Sequence, residues 1–371
     1  MASAGLTSLL QGVDGAPLFI GGLISWIIDV VVWWVSHPEA GGSILLEQTI
    51  IGLQSGFVLF LIASGLTVIL GILDVLNLAH GELYAVGAYV AFAVFGFVVG
   101  TQNWPASIMA PPTPGGVGTL VFALTIVVFI ALVVLTILFA ASLFLPFGMV
   151  LESTLLEPIY ERDEVYQLVL TFALLLVLTD VRRIVFGDGS SSIFSIRNSI
   201  NQIPTGEIIS LATPTATFLV MAVVLVLAVI LFWFFDETKT GRIIRATAIN
   251  REMSTALGVD PDRIFTLVFA FGAFLAGFAG GLQFFANQAI PGMGGNALIL
   301  SFVVIVVGGL GSLKGSFVGA ILIGIVSTYA VQINANYALG LPAEVAAPFA
   351  IMVVVLLIKP EGLYGSWGEM E

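Results

Sequence analysis

Long apolar stretches separated by short polar breaks run along most of the 371-residue chain. A helix that crosses a membrane needs about 20 largely apolar residues. On that length the sequence predicts spans near 18–35, 47–71, 79–99, 118–147, 165–181, 208–235, 264–288 and 344–358. The stretch 297–332 is too long for one span and carries GGLGSLKG at its centre, so it reads as a short helix, a break and a second helix. Runs such as VVIVV and IMVVVLLI are β-branched, but they lack the period-two alternation of apolar and polar residues that outer-membrane strands require. The predicted fold is an all-α integral membrane protein, a polytopic helical bundle of about 9–10 spans with two Gly-interrupted helices.

Composition agrees with that pattern. Hydrophobic residues make up 59% of the chain and charged residues 9%, against about 25% charged in a soluble domain. The absence of cysteine excludes disulfides, thiolate metal sites and cysteine nucleophiles, and two histidines, His37 and His80, exclude a multi-histidine metal centre. No metal or cofactor is expected. The first apolar stretch, IGGLISWIIDVVVWWV, follows no basic region and precedes no small-residue cleavage pattern, so it is read as a retained span. Asp29 within it faces another helix or lies near the interface.

Charge sets the expected orientation. Placing 150–164, 236–263, 311–315 and the C-terminus on one side collects Arg162, Lys239, Arg242, Arg245, Arg251, Arg263, Lys314 and Lys359, while Arg182, Arg183 and Arg197 stay on the other. The positive-inside bias then puts 236–263 in the cytoplasm. Net charge is −12, and acidic residues such as Glu152, Glu157, Glu161, Asp163, Glu164, Asp236, Glu237, Asp260 and Asp262 are read as solvated loop residues. Two readings of that excess stay open: a chance acidic surface, or adaptation to a high-salt cytoplasm that screens like-charge repulsion. Nucleic acid is not a plausible partner.

The loop ETKTGRIIRATAINREMSTALGVDPDRI, 237–264, contains a helix-like stretch, REMSTALG, closed by Gly258 as a C-cap signal. A short helix between two spans is something a partner protein can grip. GGLGSLKGS is not a nucleotide loop, because Lys314 lies between Leu313 and Gly315 where a P-loop needs Gly-Lys-Ser/Thr. The dinucleotide fingerprint fails as well, since its third glycine is misplaced and its flanks are of membrane length.

The stretch GILDVLNLAHGELYAVGAYVAF, 71–92, puts Asp74, Asn77, His80 and Glu82 inside an apolar run. Polar backbone at membrane depth is tolerated only inside protein or beside a water-filled cavity. The stretch therefore predicts a broken helix near a translocation path. A continuing helix would place Asp74, Asn77 and His80 roughly on one side with Glu82 away from them. Capping of broken helix ends is the favoured role of these residues, with substrate contact and an ion relay as the others. GELYAVGA (81–88) and GSFVGA (315–320) each restart a helix after a break, and such paired interruptions point to a transporter's pathway. The glycines Gly277, Gly280, Gly281, Gly308, Gly309 and Gly311 suit close helix packing, with hinge or path roles as alternatives.

Together ASGLTVILGILDVLNLAHGELYAVGAYVAF, GRIIRATAINREMSTALGVDPDRI, FLAGFAGGL, SFVVIVVGGLGSLKGSFVGAILIGIV and KPEGLYG resemble, in order, the permease subunits of ABC importers for branched-chain amino acids. The resemblance implies an ABC importer permease fold for 47–365, with 1–46 as an extra N-terminal span and external loop and 366–371 as a cytoplasmic tail. It implies four kinds of partner: a second permease subunit, cytoplasmic ABC ATPase subunits, an extracytoplasmic substrate-binding protein and membrane lipid. The chain itself would be no enzyme, ATP being hydrolysed on the ATPase partner. The 248–258 segment resembles the coupling element, giving Arg245, Ala248, Glu252, Ala256 and Gly258 as candidates. Asp74, Asn77, His80, Gly81, Glu82, Gly308, Gly309 and Gly311 are candidates for the translocation path or its broken helices. An ion-coupled secondary transporter or channel acting without an ATPase is the alternative, with His80, Asp74 and Glu82 as its ion path. An intramembrane enzyme finds no support, as no Gly-x-Ser-x-Gly or His-Glu-x-x-His pattern is present.

Overall fold

The computed structural model describes residues 38–99, 117–160, 162–191, 215–337 and 343–365. The first predicted span, 18–35, Asp29 and the 366–371 tail lie outside the described residues. Met1–Ile50 and Ile51–Glu371 form separate units, and of the first only the N-terminal turns of α1 are described.

Among the described residues every named element is helical, because lipid offers the backbone no polar partner and a helix satisfies its own groups. The helices are α1 (Pro38–Leu73), α2 (His80–Val99), α3 (Val117–Ser142), α4 (Phe144–Leu151), α5 (Glu164–Phe186), α6 (Thr215–Glu237), α7 (Lys239–Ile249), α8 (Arg251–Ala256), α9 (Pro261–Ala286), α10 (Met293–Gly308), α11 (Leu313–Tyr337) and α12 (Ala343–Ile358). Among the described residues, five stretches are long and apolar enough to cross a membrane: Leu45–Leu73, Ile130–Ile159, Ala216–Glu237, Pro261–Ala286 and Leu313–Asn334. Two shorter apolar helices, α10 and α12, accompany them. The long 297–332 stretch divides as the sequence predicts, into α10 and α11.

α9 is a core helix: 72% of its apolar window is buried, as is 78% of that of α1, against 28% for α6, whose Val226, Val229 and Trp233 are exposed as a lipid-facing surface would be. The glycines of α9 account for its position. A Cβ on Gly87 of α2 would lie 2.5 Å from the Cα of Gly277, and one on Gly280 would meet the carbonyl of Tyr84 and, at 2.7 Å, the nitrogen of Ala88. A Cβ on Gly148 of α4 would lie 2.8 Å from the Cα of Ala270. Small residues thus bring α2 and α4 into backbone contact with α9, which is how helices gain packing energy where lipid competes for apolar surface. Phe269, Phe278, Phe284 and Phe285 fill the remaining volume.

Two sequence expectations change here. The 236–263 segment is not a loop with one helix, because Lys239–Ile249 is helical as well as Arg251–Ala256. Glu152 is fully buried and not solvated, its carboxylate accepting from Tyr160 (2.8 Å) and from Thr266 of α9 (2.7 Å). Burial and the nearby Glu152 carboxylate together push the Tyr160 phenol above its ordinary pKa. Arg182, grouped by sequence with exposed Arg183, is 4% exposed.

Gly280→Ala should lower the melting temperature of the detergent-purified protein, since overpacking a tight contact costs about 1–3 kcal/mol. Gly295→Ala, where an added Cβ meets nothing within 4 Å, should not. Equal melting temperatures for the two variants would contradict the backbone contact between α2 and α9.

Candidate functional site

α1 ends at Leu73, and Asp74 turns the chain with φ 55°, the one non-glycine residue with positive φ among those described. A left-handed conformation costs about 1–2 kcal/mol per residue for most side chains, and Asp is among the few that visit it. Residues 75–79 then run back beside α1 without helical structure. By His80 the chain is level with Ile62, whose carbonyl accepts from His80 Nε2 at 3.0 Å, roughly 16 Å from the end of α1 at a rise of about 1.5 Å per residue.

The chain is non-helical between α1 and α2, so the common face that a continuing helix would give Asp74, Asn77 and His80 does not form. Asp74 is exposed and caps nothing. Asn77 does cap, its Oδ1 accepting from Ala79 N at 3.1 Å and its carbonyl from His80 N at 3.2 Å. The Leu76 carbonyl accepts from Thr171 of α5 at 3.1 Å.

Glu82, in the first turn of α2, forms a buried ion pair with Arg182 of α5, Nε to Oε1 2.6 Å, each side chain 5% exposed. The Arg182 guanidinium lies 5.2 Å from the Tyr89 ring centroid, and Tyr89 donates to the Gly189 carbonyl at 3.1 Å. Sequence reasoning missed Arg182. The available signal was an arginine within an apolar helix, which by default implies a partner at the same depth.

A second break follows α9. Residues 287–292 leave the helix, Ala289 makes a bridge with Ser191, and Gly292 (φ 80°) starts α10. The first turns of α2 and α10 meet with Gly81 against Gly294: a Cβ on Gly294 would lie 2.6 Å from the Gly81 carbonyl oxygen and 2.7 Å from Glu82 Oε2. The restart that faces 81–88 is therefore at 293, while the restart at 313–320, paired with it in the sequence as a second interruption, lies elsewhere. Gly315 packs instead on Gly308 within the third break, where Gly309 and Gly311 have φ 105° and 76°. The KPEGLYG stretch closes that break, Leu363 N donating to Val307 O and Tyr364 N to Gly308 O, both at 2.8 Å. Two sequence blocks about fifty residues apart thus form one structure.

The 236–263 segment is built from caps. Thr238 accepts from Gly241 N at 3.0 Å to start α7, and Asn250 accepts from Met253 N at 2.8 Å to start α8. Gly258 (φ 84°) ends α8, with Val259 N donating to Ser254 O at 3.0 Å. Asp236 bridges Arg245 (3.2 Å) and Lys314 (3.1 Å). Arg251 pairs with Asp262 at 2.6 Å and lies 4.9 Å from the Phe265 ring.

The candidates divide spatially. Arg245 and Ala248 of α7 share a cavity of about 460 Å³ with Gly311, Lys314, Gly71 and Asp236. Glu252, Ala256 and Gly258 are exposed on the adjoining α8 turn. Asn77, His80, Gly81 and Glu82 are buried where α2 begins.

Comparison with known proteins follows the same elements. A family model described as "Branched-chain amino acid transport system / permease component" matches residues 48–358. The high-affinity branched-chain amino acid transport system permease protein LivH of Escherichia coli (strain K12) is 26% identical over 324 residues, covering 86% of this chain and 95% of that protein. BraD, with the same description, from Pseudomonas aeruginosa is 25% identical over 325 residues, covering 86% and 95%. A probable branched-chain amino acid transport permease protein LivH of Methanocaldococcus jannaschii is 30% identical over 153 residues, 40% of this chain and 48% of that protein.

Arg182→Met leaves Glu82 buried without its partner, and breaking a buried pair costs about 3–5 kcal/mol. The variant should give far less folded protein by size-exclusion chromatography, and adding Glu82→Leu should recover part of the yield. A single variant as stable as the parent would show that the pair does not hold α5 to α2.

Proposed function

Because the chain belongs to the family of branched-chain amino acid transport system permease components, we propose that it is the membrane-spanning permease of an ATP-driven importer of amino acids with apolar side chains. The sequence carries no P-loop, so energy must come from a separate ATPase, and force must then cross a protein contact. The observation that carries this reading is the surface of α7 and α8. Ile249, Met253 and Leu257, four residues apart, are 78%, 57% and 77% exposed on a segment outside the apolar spans. Lipid does not account for apolar side chains there, whereas a docked protein does. Ala256 and Gly258 beside them allow close approach, and Arg245, Ala248 and Glu252 complete the exposed face.

The rest of the assignment follows from this one. The basic residues on the same side support a cytoplasmic docking face. The Asp236 bridge from α7 to Lys314 links the docked face to the Gly309–Gly311 break, so movement of α7 reaches α10 and α11. A second permease subunit, two ATPase subunits and an external binding protein complete the importer, and the binding protein carries much of the substrate choice.

Leu257→Asp should leave the abundance and melting temperature of the permease unchanged while ATPase co-purification falls at least tenfold. Retention of the ATPase at parental levels would remove α8 from the docking face. Orientation is tested separately in this cysteine-free chain. Thr255→Cys should react with an impermeant maleimide only from the cytoplasm, and Ser190→Cys only from outside. Thr255 suits the experiment because its neighbour Ser254 is buried. Labelling of Thr255→Cys in intact cells would reverse the topology.

A further inference from the structure

At the end of the unit opposite α7 lies a cavity of about 250 Å³ whose wall is unusual for so apolar a chain. Polar residues Ser55, Gln283, Gln288, Asn296, Glu344 and Tyr84 line it together with apolar Leu59, Ile62, Met293 and Leu300. We propose that this cavity binds the transported amino acid as a zwitterion, its apolar side chain against the Leu59–Leu300 wall and its charged ends among the amides and Glu344. The proposal rests on the reading of the chain as an amino acid permease and names the site within it.

The chemistry of the wall selects the ligand. Amide side chains both donate and accept, so they serve an ammonium and a carboxylate without adding charge. Glu344 is the one charged residue in the lining and matches an ammonium. No Lys or Arg contributes, which disfavours a ligand that is only an anion. Gln288, Asn296 and Glu344 are exposed and Gln283 is half-buried, whereas Leu59, Ile62 and Met293 are more deeply placed, so the polar groups lie at the opening and the apolar groups behind them. The volume lies just below the roughly 300–1,000 Å³ of sites for drug-sized ligands, which suits a single amino acid. The other described cavities differ: those beside Phe147 and Phe139 are lined almost wholly by apolar residues, the one beside Val306 and Leu356 has Glu361 as its one polar residue and no amide, and the one beside Arg245 lies at the proposed docking end.

Position adds a mechanism. Ile62, whose carbonyl holds His80, and Met293, which opens α10, both line the cavity. Tyr84 of α2 lines it too, so the wall includes residues of both helices, α2 and α10, that cross at the Gly81–Gly294 contact, and a change in that crossing alters the space offered to the ligand.

The test uses the assembled importer, with its ATPase and binding protein, in proteoliposomes. Uptake of labelled leucine by the parental complex checks the permease reading itself, and its absence would overturn that reading along with the site. In a complex that does transport, photo-leucine, a diazirine analogue, is delivered by the binding protein and irradiated during ATP turnover. Adducts are expected on peptides containing Leu59, Ile62, Met293 or Leu300. Adducts confined to other surfaces would overturn the site and leave the permease reading intact. Asn296→Trp, which fills the cavity from an exposed position, should cut leucine uptake at least tenfold with complex assembly and basal ATP hydrolysis retained. Parental uptake in Asn296→Trp would refute the proposal. So would failure of that variant to assemble, which would show the surface to be packed against another subunit.

Discussion

Backbone polar groups inside a membrane have no water to bond, and each one left unpaired costs several kcal/mol. The structure interrupts its helices at 74–79, 287–292 and 309–312, so its architecture turns on how those interruptions are closed. Each is closed from a distant part of the chain. Thr171 bonds the Leu76 carbonyl, Ser191 pairs with Ala289, and Leu363 and Tyr364 bond the carbonyls that end α10. These contacts fix α5 and the C-terminal segment onto the core more specifically than apolar packing would, because apolar side chains gain little by exchanging lipid for protein.

The breaks also explain the glycines. Where α2 and α10 begin against each other, neither Gly81 nor Gly294 has room for a side chain. α9 meets α2 the same way at Gly277 and Gly280. Glycine in a helix interior costs about 0.5–1 kcal/mol relative to alanine. Recurrent use of it here implies that the close approach returns more than that at each crossing.

Most of the helices were readable in the sequence because apolar length is a strong signal: 264–288 became Pro261–Ala286, and 208–235 became Thr215–Glu237. The interruption near Asn77 was readable too, since polar residues in an apolar run have few explanations. Long-range pairing was not. Nothing in the local pattern of LNLAHGE names Arg182, one hundred residues away, as the partner of Glu82. The glycine pattern likewise does not say which restart faces Gly81. Hydropathy resolved 236–263 poorly for a different reason. Its helices are set by the Thr238 and Asn250 caps, and sequence reasoning used only the Gly258 terminus. Glu152 was misplaced because an acidic residue near a predicted loop is usually solvated, and its hydroxyl partners Tyr160 and Thr266 come from separate segments.

Magnitudes separate the fixed part of the molecule from the movable part. The Glu82–Arg182 pair is almost fully buried, and losing one partner leaves a charge with no water to receive it, at a cost of about 3–5 kcal/mol. The Asp236 links to Arg245 and Lys314 are far more exposed, with side chains from 37% to 65% accessible, and pairs of that kind are worth about 0–1 kcal/mol. On the proposed docking of an ATPase at α7 and α8, the Asp236 links are the ones weak enough to exchange within a transport cycle, whereas the Glu82 pair is not. Gly309 and Gly311 adjoin the weak links and already occupy backbone conformations that only glycine adopts freely. Weak tethers and permissive backbone thus coincide at the proposed docking end, while the buried pair and the Gly81–Gly294 contact hold the start of α2. On the proposed coupling, motion imposed at α7 would act on the Gly308 end of α10 with the Gly81–Gly294 crossing as its fulcrum, and so would change the geometry around Met293.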